Sequence, residues 1–417
     1  MDSENNPTIV LITLDRNAGC AILTRSDGKE ARLPLTPSPF EETSVLARID
    51  FTPSYRTLLA TTLSGDQVLF EMPLEKAGNQ LLGRLIVYLD QNQWSAISNA
   101  LYDEERGTEK NRTAAQQLKR WVEQGKIILP ASAAHYYETS KRFNKEKRYY
   151  LGLTILQYSR GWQMRDPLQV RRDELHNGFC RYTGRPSDVR TNPVFTLDPY
   201  TLYSTARHST PIQKSIPTKT PLDFRIAALT EAVSSIDVML DSERVESGLE
   251  TGWTPLNQKF SDWLDSENRD SQQKRKTIDA FLLSDLQKEI AEEAWASGAT
   301  IPQLKSWALK HAANEIAQLP ATGLFREMLH SRHLNKGTKW SPNDLTDMVY
   351  LSCAAGYADF VACERHMRDP LKHGLKRTKK KTQVYRDLTD AVAAIKEALE
   401  TAQTPKASIS SNNAKKL

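Results

Sequence analysis

The chain has 417 residues and carries 56 Lys and Arg against 51 Asp and Glu, a formal net charge of +5. Such a length supports a large core and two or three folding units. So small an excess excludes an overall polycation, and attraction to nucleic acid would have to come from local clusters. The four cysteines, Cys20, Cys180, Cys353 and Cys363, are scattered without a CxxC pair, which argues against a thiolate metal site. The polar start MDSENNPTIV and the lack of a long apolar run argue against a signal peptide or a membrane span. The expectation is a cytoplasmic protein with no membrane partner.

Between Thr8 and Met72, segments such as TIVLITL, CAILTR, TLLATTL and QVLFEM alternate apolar and polar positions between turn signals at Asp27-Gly28 and Ser64-Gly65-Asp66. They predict a small β-rich module over residues 1–78. It carries no chemical cluster and suits packing or a regulatory protein partner.

Residues 85–89, LIVYL, form a run too apolar to have one wet face, and predict the central strand of a covered parallel sheet. Ligands in such sheets sit at the C-terminal ends of the strands, and Asp90 stands at that end. Gln91 and Asn92 then read as a polar turn. Helices are predicted over 94–102 and 111–124, the second stopped by Gly125, followed by a strand over 126–129 and a helix over 131–142 with Ser132 as a cap. Glu138 lies on that helix, and another helix spans 145–162. The order β-α-α-β-α-α predicts the first part of an α/β core, residues 84–164.

From Arg165 to about Ser209 no period survives, and loops are expected. Residues 221–333 read as helices broken near Gly252, Ser297-Gly298 and Leu319-Pro320, which makes 165–335 a loop and helical insertion. The core resumes over 336–402 with a helix at 342–355, a turn at Gly356, a strand at 359–363 and a last helix at 384–402. The tail, 403–417, has a disordered composition.

Hydrolysis of a phosphodiester by metal-bound water needs several carboxylates from different elements at one point, because Mg²⁺ and Mn²⁺ take hard oxygen ligands and keep waters. Asp90, Glu138, Asp344, Asp347, Asp359 and Glu364 are available in that sense. In this order the chain resembles the PIN-domain nucleases, which carry an Asp after the first strand, a Glu on an internal helix, an Asp on a later helix and a fourth acid after the next strand. The matching residues are Asp90 in YLDQNQW, Glu138 in LPASAAHYYET, Asp347 in NDLTDMVYLS, and Glu364 or Asp359 in YADFVACE. The resemblance spans residues 84–162 and 341–402. It implies an α/β fold with a three-layer parallel-sheet core, and catalysis by Asp90, Glu138 and Asp347 around one or two Mg²⁺ or Mn²⁺ ions. Asp359 and Glu364 are further metal-ligand candidates, and RNA is favoured over DNA as the substrate. Two features depart from the family pattern: the threonine-containing turn before the fourth acid is Ala362-Cys363-Glu364 here, and the insertion is far longer than in a minimal PIN domain.

Ser341-Pro342-Asn343-Asp344 resembles a capping box, a structural reason for Asp344. Asp347, among Leu345, Met348 and Val349, has no such reason. His135 reads as a packed or surface residue in so oxygen-rich a site. Two basic runs, Lys141, Arg142, Lys145, Lys147 and Arg148, and the eight Lys and Arg of residues 365–381, suit phosphate binding. Tyr149, Tyr150, Tyr158 and Trp162 are candidates for base stacking or for core. Alternatives are an inactive PIN-like scaffold that binds nucleic acid or a protein partner, and a haloacid-dehalogenase-type phosphotransferase, for which Asn92 replaces the second Asp.

Overall fold

The computed structural model describes residues 7–35, 40, 44–73, 81–103, 105–198, 221–241, 243 and 252–403, with no side chains described for 221–228. The expected disordered tail lies outside the described residues but for Gln403. Strands β1 (Ile9–Asp15), β2 (Cys20–Arg25), β3 (Glu30–Pro34), β4 (Leu46–Thr52), β5 (Thr57–Thr62) and β6 (Gln67–Glu71) form one antiparallel sheet in the order β3-β2-β1-β4-β5-β6. Along β4 to β6 every second side chain is buried, from Ile49 and Phe51 to Leu58, Ala60, Val68 and Phe70, so the period of two sets the inner face. β3 is exposed along its whole length, which is why it shows no alternation to read.

Next come β7 (Leu85–Leu89), α1 (Gln91–Tyr102), α2 (Glu109–Glu123), β8 (Ile127–Ile128), α3 (Ala133–Ser140), α4 (Lys145–Ser159), β9 (Gln163–Met164), α5 (Pro167–Tyr182) and β10 (Phe195–Thr196). The helical insertion supplies α6 (Pro221–Leu240), α7 (Trp253–Ser266), α8 (Ser271–Asp285), α9 (Gln287–Ala296), α10 (Ile301–Lys310), α11 (Ala312–Gln318) and α12 (Pro320–His333). The chain returns through α13 (Asp344–Tyr357), β11 (Phe360–Ala362), α14 (Arg365–Thr378), β12 (Gln383–Tyr385) and α15 (Leu388–Gln403).

A parallel sheet of order β12-β11-β7-β8 results, with β7 pairing Val87 with Phe360 and Leu89 with Ala362 of β11. A parallel bridge between Ala131 and Gln163 continues it past β8. The predicted central strand is central, and its alternation divides the core. Val87 and Leu89 face α1, α2, α4 and α15 in an apolar cluster that extends into the N-terminal sheet through Phe70, Leu58 and Leu46. Ile86 and Tyr88 face the other way, into a cluster with Phe179 of α5, Leu324 and Met328 of α12, Met348 of α13 and Leu371 of α14. The β module is fastened by Glu71, whose Oε2 accepts from Arg84 Nη1 at 3.0 Å and from Trp162 Nε1 at 3.1 Å.

Three expectations need correction. Residues 167–182 form helix α5 rather than loop: Asp166 caps it by accepting from Leu168 N at 2.8 Å, and Pro167 sits at its start. Its buried face includes Asp173, Glu174 and His176, which obscures an apolar period. No turn lies at Gly356, because α13 runs through it. A Cβ there would stand 2.9 Å from Ala321 N and Pro320 C, so glycine is needed for the close approach of α13 to the start of α12. Finally, residues 384 and 385, expected to open the last helix, belong to the edge strand β12.

The start of α12 has no cap of its own, and Glu174 of α5 supplies one. Its Oε1 accepts from Ala321 N at 2.6 Å and from the Tyr357 hydroxyl at 2.7 Å, and its Oε2 accepts from Thr322 N at 2.9 Å and Thr322 Oγ1 at 2.6 Å. Removing one buried acceptor would strand several donors at about 1–3 kcal/mol each. Glu174→Ala is therefore expected to lower the unfolding free energy by about 3 kcal/mol or more in a urea titration. An unchanged midpoint and slope would remove this account.

Candidate active site

The sheet's order places β7 between a strand that follows it closely, β8, and one that returns much later, β11. The crevice at the C-terminal ends of β7 and β11 is thus a switch point, where open α/β sheets bind ligands. Asp90 and Glu364 stand there. Asp90 N donates to Ala362 O at 2.9 Å, which locks the two strand ends together. Helix α1 begins at once after Asp90, so Gln91 and Asn92 are its first turn and not a loop. The Asp90 carboxylate caps it by accepting from Gln91 N at 2.8 Å. Glu364 occupies the residue before α14.

Glu138, from α3, and Asp347, from the first turn of α13, stand within electrostatic reach of Asp90 and Glu364. Three helices, α1, α13 and α14, therefore direct their N-termini at the centre, and their dipoles favour negative charge there. Asp359 does not belong to the group. It lies at the opposite end of β11, about 16 Å of extended chain from Glu364, where its carboxylate accepts from Ile86 N at 2.8 Å. Strand direction decides between the two candidates, and Glu364 is the fourth acid. Asp344 is buried and committed elsewhere: its Oδ2 accepts from Ser341 N at 2.7 Å and pairs with the Arg332 guanidinium. The Ser341 bond is one half of the expected capping box, but α13 starts only at Asp344, after Asn343, and has no side-chain cap.

Asp90, Glu138 and Asp347 have raised proton affinities, and the charge of Glu364 contributes to each. Burial pushes Asp347 up to about 8, helped by the charges of Asp90, Glu138, Asp344 and Glu364. Burial again leads in raising Glu138 to about 7, with Asp90 and Glu364 adding to it and Lys141 and Arg142 opposing. Asp90 is raised by burial and by Glu364, and the amides of Gln91 and Glu364 hold it back. The Cys363 thiol, buried beneath them, is also pushed up, first by burial and then by Asp90.

Two further residues touch the acids. Asn92 Nδ2 donates to Glu364 Oε1, and His366 lies with Nδ1 3.1 Å from Glu364 Oε2 and Nε2 3.8 Å from Asp347 Oδ2. Their signal was positional: each lies two residues past an acid at a strand end. His135 is fully packed. Its Nδ1 accepts from Ser132 N at 3.1 Å, its ring stacks on Tyr88 at 5.3 Å between centroids, and burial holds it down to about 3, so it is neutral. It orients α3 under Glu138.

The first basic run is largely engaged: Lys147 pairs with Asp103 at 2.8 Å, Arg142 Nη2 donates to Ser95 Oγ, and Arg148 is buried. Tyr158 and Trp162 are core, Tyr149 donates to Asp66 at 2.7 Å, and Tyr150 stacks on Tyr102. None of the four is a free stacking platform. Against protein-family models, curated proteins and solved structures, the chain finds no match. None of the described helices is long and apolar enough to cross a membrane.

The donor set is chemically that of a hard divalent cation: four carboxylates from four elements, with no sulfur or neutral imidazole required. Among the described residues, no three His, Cys, Asp or Glu side chains are already gathered as one ion's ligands. The raised proton affinity of Asp347 and Glu138 comes first from burial and then from the neighbouring acids. In the unfolded chain these groups titrate near 3.8 and 4.5. The folded state then binds more protons than the unfolded one between about pH 4 and 8, so its stability falls as pH rises through that window. The melting temperature should fall from pH 5 to 8.5, and Asp347→Asn should flatten the fall and raise the value at pH 8.5. A variant with the wild-type profile would show that Asp347 is not the strained acid.

Proposed function

We propose that the chain is a PIN-like, metal-dependent nuclease that hydrolyses phosphodiester bonds, with RNA as its substrate. The observation that carries this reading is the convergence of Asp90, Glu138, Asp347 and Glu364 at the switch point between β7 and β11. Asp90, Glu138 and Asp347 would hold Mg²⁺ or Mn²⁺, with Glu364 as a fourth ligand. Such an ion, when bound, lowers the pKa of its water and neutralises charge on a phosphate.

The chain's own residues do the rest. The N-termini of α1, α13 and α14 offset the charge of an approaching phosphate. Asp90 and Glu364 are held by the backbone of adjacent strand ends, so their positions are fixed before substrate arrives. Glu138 and Asp347, raised to about 7 and 8, bind a proton near neutral pH, which they would give up to hold an ion, so ion binding would strengthen as pH rises. His366, exposed at the rim, lies with Nδ1 3.1 Å from Glu364 Oε2.

A second reading is a scaffold with the same core but no activity, favoured by carboxylates that are not gathered into a ready ligand set. The two differ in their response to metal. Under the nuclease reading, Asp90→Asn should lower Mn²⁺-dependent cleavage of a single-stranded oligoribonucleotide by at least about 100-fold, more than 2.7 kcal/mol of barrier. Circular dichroism and melting should be retained, because Asn caps a helix as well as Asp does. Full activity of Asp90→Asn, or no cleavage by the wild type with Mn²⁺ or Mg²⁺, would overturn the assignment.

A further inference from the structure

Helix α14 starts at Glu364, in the carboxylate centre, and its outer side leads away from it. Arg365, Lys372, His373, Lys376 and Arg377 are exposed along it. Lys372 and Lys376 have no ion-pair partner among the described residues. The far half of α14 forms one wall of a cleft of about 810 Å³, whose other walls come from the helical insertion: Arg275 of α8, Glu327 and Ser331 of α12, and Leu334 and Asn335 beyond it.

Glu327 is buried at the base of this cleft and organises its cations. Its Oε2 accepts from Arg275 Nη2 at 2.8 Å and lies 3.6 Å from Arg377 Nε. Its Oε1 accepts from Arg326 Nη1 at 2.6 Å, and Arg326 is itself held by Asp279 at 2.7 Å. A guanidinium has five N–H donors, and Glu327 takes few of those on Arg275 and Arg377. Among the lining residues, three cations (Arg275, Lys376 and Arg377) face one carboxylate (Glu327), an excess of two positive charges before His373 is considered.

We propose that this cleft binds the phosphate backbone of a single-stranded nucleic acid whose scissile bond lies at the carboxylate centre, with the exposed cations of α14 bridging the two. The proposal rests on the nuclease reading for the place of the scissile bond. It assigns the helical insertion a function, that of supplying the second wall of a substrate track. Lys376 lies 12 residues along from Glu364, about 18 Å at helical rise, which corresponds to about five stacked nucleotides at 3.4 Å each. A guanidinium pair held by one buried carboxylate suits the forked, bidentate recognition of phosphate. Ser331 and Asn335 add neutral polar groups for sugars.

The test uses full-length protein carrying Asp90→Asn, without divalent metal, and 5′-fluorescein oligouridylates of 3 and 12 nucleotides. Each lost phosphate contact should make the slope of log K against log salt shallower by about 0.7. Lys372→Gln with Lys376→Gln should therefore make the 12-mer slope shallower by about 1.4 and leave the 3-mer slope unchanged. Arg275→Gln should weaken the 12-mer alone. Because that change leaves Glu327 short of a partner, it is paired with Arg275→Gln/Glu327→Gln, which should fold and still bind the 12-mer more weakly than the parent. Unchanged 12-mer slopes, equal losses for both lengths, or displacement of the 12-mer by an acidic peptide at equal charge would overturn the proposal. Separately, wild type that fails to cleave while the 12-mer slope responds as expected would refute the nuclease reading and leave the nucleic-acid track standing.

Discussion

The pairing of β7 with β11 is the contact on which the rest depends. It joins segments 273 positions apart in sequence, as the bond from Ile86 N to Asp359 shows. It also gives the sheet its reversal of direction and sets Asp90 beside Glu364. Parallel pairing of this kind demands cover on both faces, and the chain provides it from two sources. The α1, α2, α4 and α15 layer backs one face and merges into the N-terminal sheet, and α5 and α12 to α14 back the other. Four carboxyl groups are placed near the N-termini of α1, α13 and α14, whose backbone field favours negative charge.

The helical insertion is attached to this core by charge as well as by apolar burial. Arg171 forks onto Glu289 at 2.7 Å, and Arg172 and Arg190 pair with Glu293 at 3.0 and 2.9 Å, linking α5 and the segment after it to α9. Half-buried pairs of this sort contribute modest net stability, since desolvation offsets much of the attraction. They do fix the register in which the insertion docks. The wall that the insertion presents to α14 is therefore set by the same network.

Much of the site was legible because its signals are local. An apolar run ending in an acid located Asp90, an acid on a largely apolar helix located Glu138, and a charge beside core residues without a capping reason located Asp347. The choice between Asp359 and Glu364 was beyond the sequence, since both flank the same three-residue strand and only the direction of pairing separates them. Helix α5 escaped notice because Asp173, Glu174 and His176 lie on its buried side, with Glu174 held by Thr322 and Tyr357 and Asp173 by Arg165, Arg190 and Asn192. β12 escaped because three residues at a sheet edge carry too short a pattern to outweigh the helix that follows. Asn92 and His366 act through contacts made only once the strand ends meet.

The length of the insertion has a consequence for how the protein comes into being. During synthesis, Asp90 and Glu138 emerge more than 200 residues before Asp347 and Glu364, and of the two strands that flank β7 only β8 has been made until then. Half of the carboxylate centre thus waits, separated from its partners, while the N-terminal sheet and the first helices take shape. The full set of acids meets only where α13 and β11 join the sheet, so the site is complete only with the last-made part of the core. A chain interrupted anywhere within the insertion would carry a partial core and no assembled centre, a form of control that needs no inhibitor because it is written into the order of the sequence.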